Sequence, residues 1–189
     1  MQKQIDQAVG ILKQGGIVIY PTDTAYAIGC KFKNRTGINK ILRIKKRKDK
    51  KFTLIASSLY QVEKFFKLNS CQRKIAKKYW PGPVSIVVSN NFSVRVPKNN
   101  IARQLAKSAG EPIIATSLNI SGEATIYNLE KIQYTALQKK INHEQIEIVD
   151  SGSLTKRKPS AIIQCFTNNK IKILRHGPIH ISAEQFFTK

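Results

Sequence analysis

The feature that narrows the fold most is a rhythm: short β-branched runs alternate with stretches of helical spacing. Ile5, Ala8, Val9 and Leu12 recur at the 3.6-residue period and predict a first helix. Gly15-Gly16 closes it, because glycine takes the backbone that ends a helix without steric cost. Ile17-Val18-Ile19-Tyr20 then predicts a buried strand, and Pro21, lacking an N–H for the ladder, is expected to stop it. The rhythm continues. Residues 25–30 read as extended. Ile38, Ile41 and Leu42 mark a helix, and Phe52-Thr53-Leu54-Ile55-Ala56 a strand. Ser58 with Gln61 is a capping box before Leu59, Val62, Phe65 and Phe66. Asn69 or Ser70 opens a further helix with Ile75, Ala76, Tyr79 and Trp80, broken by Pro81-Gly82-Pro83.

The second half keeps the pattern. Residues 84–88 and 93–96 predict a strand pair across Asn90-Asn91, with Val94 and Val96 on one face and Arg95 on the other. Ile101, Leu105 and Ala109 predict a helix, and residues 112–117 a strand. Leu129, Ile132, Ala136 and Leu137 predict one more helix, and residues 146–149 a strand. Residues 153–160 are polar, cationic and turn-like. Ala161-Ile162-Ile163 and residues 170–175 read as late strands, and Ser182 with Gln185 as a cap opening a short final helix. Strands alternating with helices, with hairpin-like pairs among them, argue an α/β fold on a mixed sheet, with residues 1–189 as one domain.

Composition sets limits on function. The chain has 189 residues with 41% hydrophobic, enough for a core and too much for disorder. Lys+Arg is 33 against 11 Asp+Glu, a net charge of +22, which favours polyanionic partners such as nucleic acid or nucleotides. A general lysine bias explains the same count. Cys30, Cys71 and Cys165 form no pairing pattern, and His143, His176 and His180 do not cluster with them, so no metal site is expected. The N-terminus lacks a signal-peptide core, and no apolar run nears the roughly 20 residues of a membrane span. A cytoplasmic, reduced location with no membrane partner is therefore expected.

Three strand ends and one basic run carry the candidate chemistry. Thr22-Asp23-Thr24 follows the first strand, Arg95-Val96-Pro97 ends a later one, and Ser117-Leu118-Asn119-Ile120-Ser121-Gly122 follows a third. Cations, hydroxyls and an amide on strand ends suit a phosphorylated ligand. Each also has a plainer reading. Thr22 and Asp23 can simply bond their own turn, and a lone strand arginine can face water. The run from Lys45 to Lys51 can be solvated surface, its cations matched to a helix C-terminus.

Taken in order, these stretches resemble the short single-domain type of the YrdC/Sua5 family, the threonylcarbamoyl-AMP synthases. The resemblance rests on residues 21–29, on Lys45-Lys46-Arg47, on Pro81-Gly82-Pro83, on Arg95-Val96-Pro97 with Ser117-Leu118-Asn119-Ile120-Ser121-Gly122, and on Lys158-Pro159-Ser160 with Arg175-His176-Gly177. The family's Lys-x-Arg and Ser-x-Asn signatures are intact. The chain departs from the pattern at Ala27 (usually glycine), at Lys48 and Lys51 (where prolines often flank the basic signature) and at Ala161 (usually threonine). Residues 26–30 and 52–54 are similar to a paralogous branch of the same fold.

The resemblance implies a twisted mixed sheet with flanking helices and a concave basic groove, without a C-terminal extension domain. It implies L-threonine, bicarbonate and ATP with Mg²⁺ as substrates, and threonylcarbamoyl-AMP and pyrophosphate as products. A partner complex would pass the threonylcarbamoyl group to adenosine 37 of tRNA. Carried over, Lys45 and Arg47 become catalytic and phosphate-binding. Lys51, Ser117, Asn119 and Arg175 would hold the nucleotide, and Thr22, Thr24, Tyr26, Arg95 and Ser160 the other substrates. Direct tRNA contact is an open part of this reading. The alternatives are a non-catalytic, double-stranded-RNA-binding protein, or a paralogue with hydrolase or carbamoyl-phosphate chemistry.

Overall fold

The computed structural model describes residues 1–134, 136–141, 146–167 and 170–181. Helix α1 (Gln2–Lys13) leads into β1 (Ile17–Pro21), which turns back as β2 (Tyr26–Gly29). Helix α2 (Arg35–Lys45) precedes β3 (Phe52–Ile55), and α3 (Leu59–Phe65) and α4 (Ser70–Tyr79) follow. Strands β4 (Val84–Val87) and β5 (Phe92–Arg95) form a hairpin, and α5 (Asn100–Ser108) leads to β6 (Ile113–Ser117). A 3-10 segment (Leu129–Tyr134) and α6 (Ala136–Ile141) come before β7 (Ile146–Ile148), β8 (Ala161–Cys165) and β9 (Ile171–Arg175).

Among the described residues the strands make one nine-stranded sheet in the order β7-β1-β2-β6-β3-β5-β4-β8-β9. The β7–β1, β3–β5 and β4–β8 pairs are parallel and the others antiparallel, so the sheet is mixed, as the alternation predicts. Its two faces are covered unequally, and alternation along each strand shows how. On one face Ile19, Leu54, Val94 and Ile114 pack with α2 residues Ile41, Leu42 and Ile44, and Ile86 and Ile163 pack with Cys71, Ile75 and Ala76 of α4. On the other face α1 and α5 cover Val18, Tyr20, Ile55 and Ile113. Among the described residues, that face is open beyond these two helices and floored by Thr53, Ser93, Ala115 and Ile162.

Local chemistry explains the elements. Ile5, Ala8, Val9 and Leu12 of α1 are all buried, and each fully buried large aliphatic side chain contributes about 1.5–3 kcal/mol. Gly15 takes the left-handed backbone (φ 83°) that turns the chain from α1 into β1. Asn69 and Gln72 cap α4 reciprocally, each side chain accepting from the other's backbone N–H at 2.8 Å. Ser58 accepts from Gln61 N at 3.1 Å, whereas the Gln61 side chain bonds Ser57 N rather than Ser58, so that predicted box is displaced by one residue.

Two boundaries differ from expectation. Pro21 ends β1 from inside, paired opposite Tyr26, because a terminal strand residue needs no ladder N–H. The helix expected over 129–137 divides into the 3-10 segment and α6, with Ile132 and Leu137 both reaching the core. The cap at Ser182 and Gln185, with its helix, and His143 lie outside the described residues. Among the described residues, no helix is long and apolar enough to cross a membrane.

Candidate functional site

The open half of the sheet floors a cavity of about 1190 Å³. Of the residues singled out from sequence, Thr22, Thr24, Tyr26, Arg47, Lys51, Arg95, Ser117, Ser160 and Arg175 all line it; Lys45 and Asn119 do not. Five stretches scattered over the chain thus meet on one surface. They arrive there on the β1–β2 turn, the α2–β3 loop, β5, the end of β6, and β8 with β9.

The turn at Thr22–Ala25 is largely self-satisfied. The Thr22 hydroxyl donates to Ala25 O at 2.7 Å and accepts from the N–H groups of Thr24 and Ala25 at 3.2 Å. Its role here is to shape the turn, the plainer of the two readings. Asp23 faces away from that turn toward Arg95 (Nη1 to Oδ1 2.5 Å), and Arg95 Nη2 reaches Thr24 Oγ1 at 3.4 Å. Arg95 is only 3% exposed, so the solvated-face reading of this strand arginine is overturned. Burial of a guanidinium needs a partner, and Asp23, 72 positions away in sequence, supplies it.

Arg175 lies on the other wall, donating from Nε to Ser160 O (2.8 Å) and from Nη2 to Ser160 Oγ (3.1 Å). Ser160 Oγ also meets Ser85 Oγ at 3.0 Å. Burial, and then the nearby Arg95 charge, lowers the pKa of Arg175. Two guanidiniums therefore converge here, and among the described residues the one carboxylate bonded to either is Asp23, on Arg95. An anionic ligand would relieve their repulsion.

The Lys-x-Arg pair separates into two settings. Arg47 lies in the cavity wall, donating from Nη2 to Asp49 Oδ2 (3.1 Å) and Lys51 O (2.6 Å), with its guanidinium 5.2 Å from the Phe52 ring centroid. Lys45 turns inward and is 3% exposed. Its ammonium donates to Ser117 O (2.5 Å), Asn119 O (2.8 Å) and Asn119 Oδ1 (2.8 Å). Three donors meet three acceptors, so the amine is the hub around which the Ser-x-Asn loop is wound. Ser117 Oγ donates to the same Asn119 Oδ1 at 2.7 Å, and Asn119 Nδ2 closes the loop on Glu123 O at 2.6 Å. Burial, and then the Arg47 charge, brings the Lys45 pKa down to about 8.

Tyr26 is also a clamp. Its hydroxyl accepts from Ser151 N at 2.9 Å and faces Gly152 O at 2.7 Å and Asp150 Oδ1 at 2.8 Å, fixing the start of the 150–160 segment. Burial raises its pKa. Sequence reading missed the Asp23–Arg95 pair, the Thr53–Ser93 hydroxyl pair on the floor (3.1 Å) and Arg157 on the rim. The first two depend on strand register, which local sequence does not carry. Arg157 had a signal in the tract Lys156-Arg157-Lys158, next to the Pro159-Ser160 motif.

The profile of the Sua5/YciO/YrdC family, described as "Telomere recombination", matches residues 10–177. The chain belongs to that family. YciO of Escherichia coli (strain K12) is 30% identical over 93% of this chain and 90% of its own length. The threonylcarbamoyl-AMP synthase of Psychromonas ingrahamii is 30% identical, over 90% of this chain and 97% of the relative. The crystal structure of E. coli YciO superposes with a TM-score of 0.81 at 28% identity, covering 99% of this chain and 94% of that one. P. abyssi Sua5 complexed with L-threonine also gives 0.81 at 25% identity, covering 94% of this chain and 55% of that longer protein. Relatives in the Sua5/YciO/YrdC family thus include named synthases as well as YciO.

Proposed function

We propose that this protein is an L-threonylcarbamoyladenylate synthase, making threonylcarbamoyl-AMP and pyrophosphate from L-threonine, bicarbonate and ATP. One observation carries the reading: Arg47, Lys51, Arg95 and Arg175 converge on a single cavity with hydroxyls from Thr24, Ser117 and Ser160. Relatives named threonylcarbamoyl-AMP synthase, and a Sua5 neighbour complexed with L-threonine, support the choice of substrates.

On this reading the threonine amine and bicarbonate first condense to a carbamate with loss of water. A carbamate oxygen attacks the ATP α-phosphorus, the bond to the β,γ-phosphates breaks, and pyrophosphate leaves. Little covalent work falls to the protein; fixed cations stabilise charge on the phosphoryl oxygens. Arg47 and Lys51 hold the nucleotide's phosphates, with Arg47 giving a planar fork that lysine cannot. Arg95, oriented by Asp23, takes the amino-acid carboxylate beside Thr24. Ser117 meets the nucleotide, Ser160 and Arg175 close the opposite wall, and Tyr26 anchors the start of the 150–160 segment.

Lys45 and Asn119 act through the loop they build. Magnesium enters as part of the nucleotide. Among the described residues, no group of three or more His, Cys, Asp or Glu could hold it, and Asp23 and Asp49 are each bound to an arginine. Phosphates and water then supply most of its ligands. The product passes to a tRNA threonylcarbamoyl-transfer complex.

The test is pyrophosphate release by the purified protein given ATP, bicarbonate and an amino acid. Release is expected with threonine, and with serine only at higher concentration, since a methyl-sized difference contributes only about 1–3 kcal/mol. Equal rates with glycine, serine and threonine, or with no amino acid, would overturn the reading.

A further inference from the structure

The 150–160 segment borders the cavity at Arg157, Pro159 and Ser160 and is fixed at three points. Tyr26 clamps its start at Ser151 and Gly152. Leu154 N donates to Tyr127 O at 2.7 Å while the Leu154 side chain packs on the core. Arg175 grips Ser160 at the far end. Between the last two anchors run Thr155-Lys156-Arg157-Lys158-Pro159, all exposed. Only a few residues separate the anchors, so the backbone cannot carry Arg157 far from the cavity rim.

The cavity's cations differ in how they are matched. Arg47 is paired with Asp49, and Arg95 with Asp23. Arg175 rests on the neutral Ser160. Among the described residues, Lys51 and Arg157 have no hydrogen bond or ion pair from the side chain, yet both line the cavity. Lys156 and Lys158, on either side of Arg157, do not line it. A guanidinium with no protein partner, on a rim already rich in positive charge, is free to take an anion. From facing walls Arg95 and Arg175 stand close enough to repel, and among the described residues Asp23 is the one carboxylate bonded to either. Arg157 adds a further guanidinium to the lining of this cavity, three residues from the Ser160 that Arg175 grips, and a ligand group with more than one negative charge would match such a set.

We propose that Arg157 is a ligand-binding residue of this cavity, and that with Arg175 it takes the multiply charged polyphosphate end of a nucleotide, the part that leaves as pyrophosphate. The identity of the nucleotide rests on the synthase reading above; the preference for a diphosphate group over a single phosphate does not.

The test is binding of inorganic pyrophosphate and of AMP to the full chain by calorimetry, at fixed ionic strength. Arg157→Ala should weaken pyrophosphate roughly five- to tenfold, the worth of a charge-assisted contact at an exposed site. It should change AMP by no more than about twofold. Arg157→Lys should recover part of the loss, because it keeps the charge and loses the fork. Lys156→Ala serves as the neighbouring-charge control and should leave both affinities near wild type. Thermal unfolding should be unchanged, since the Arg157 side chain bonds nothing in the described fold. Unaltered pyrophosphate binding in Arg157→Ala would overturn the proposal. So would an equal loss in Lys156→Ala, which would mean a diffuse field, or an equal loss for AMP, which would place Arg157 on a single phosphate. Should pyrophosphate binding depend on Arg157 while the wild type forms no adenylate, the synthase reading fails and this one stands.

Discussion

Lys45 and Arg47 sit two positions apart in different surroundings. Arg47 is held in the cavity wall by Asp49 and Lys51, while Lys45 is drawn beneath the Ser-x-Asn loop. Arg47→Lys keeps the charge but loses the fork, so kcat/KM should fall by about 1.5–3 kcal/mol of transition-state binding. The exposed Lys48→Ala should barely change it. Equal losses in the two variants would mean that the run acts only as a field. For Lys45, pH is the probe. Its amine loses a proton near pH 8, leaving two donors against three acceptors, so ligand affinity should fall from about pH 8 upward. The unfolded chain keeps that proton up to 10.5, so between the two values it binds more protons than the fold, and this group makes the fold more stable as pH rises. Weakening nucleotide binding with no drop in Tm across that window is the expected signature; a parallel loss of Tm would trace the effect to unfolding instead.

At the scale of elements, most of the fold was legible because it is locally specified. The buried residues of α1 and the cap at Asn69 follow from spacing and from side chains that bond their own backbone. Boundaries slipped where local rules are weak, at Pro21 and across residues 129–137. The site was legible as a set of strand-end motifs, but its internal wiring was not. Nothing within a few residues of Arg95 announces Asp23, and only the order β1-β2-β6-β3-β5 brings them together. Gly29 shows the same dependence. A Cβ there would stand 1.8 Å from Ile114 O, against the backbone of β6. Gly29→Ala should therefore cost about 3 kcal/mol or more, since a backbone atom cannot move aside as a side chain can. Denaturant unfolding measures it; a change under 1 kcal/mol would mean that the sheet gives way there cheaply.

On the scale of the whole molecule, two features stand apart: a sheet face left open beside α1 and α5, and a net charge of +22. The open face accounts for the motif cations, but not for Lys74 and Lys77, exposed on α4, which packs on the opposite face of the sheet. If those lysines serve tRNA contact, log affinity should fall with log salt by several units, near −0.9 per phosphate on a duplex. Lys74→Ala with Lys77→Ala should flatten that slope and leave adenylate formation intact. No tRNA binding at low salt would leave the excess charge to composition and remove the RNA-binding alternative.

The central claim is that one cavity joins an amino-acid carbamate to a nucleotide. The most direct measurement is mass spectrometry of the adenylate formed from ¹³C-bicarbonate, L-threonine and ATP. The account predicts threonylcarbamoyl-AMP carrying the label in its carbamoyl carbon, with one pyrophosphate released for each molecule formed. ATP turned over without a labelled adenylate, or no turnover with the protein folded and nucleotide bound, would contradict it.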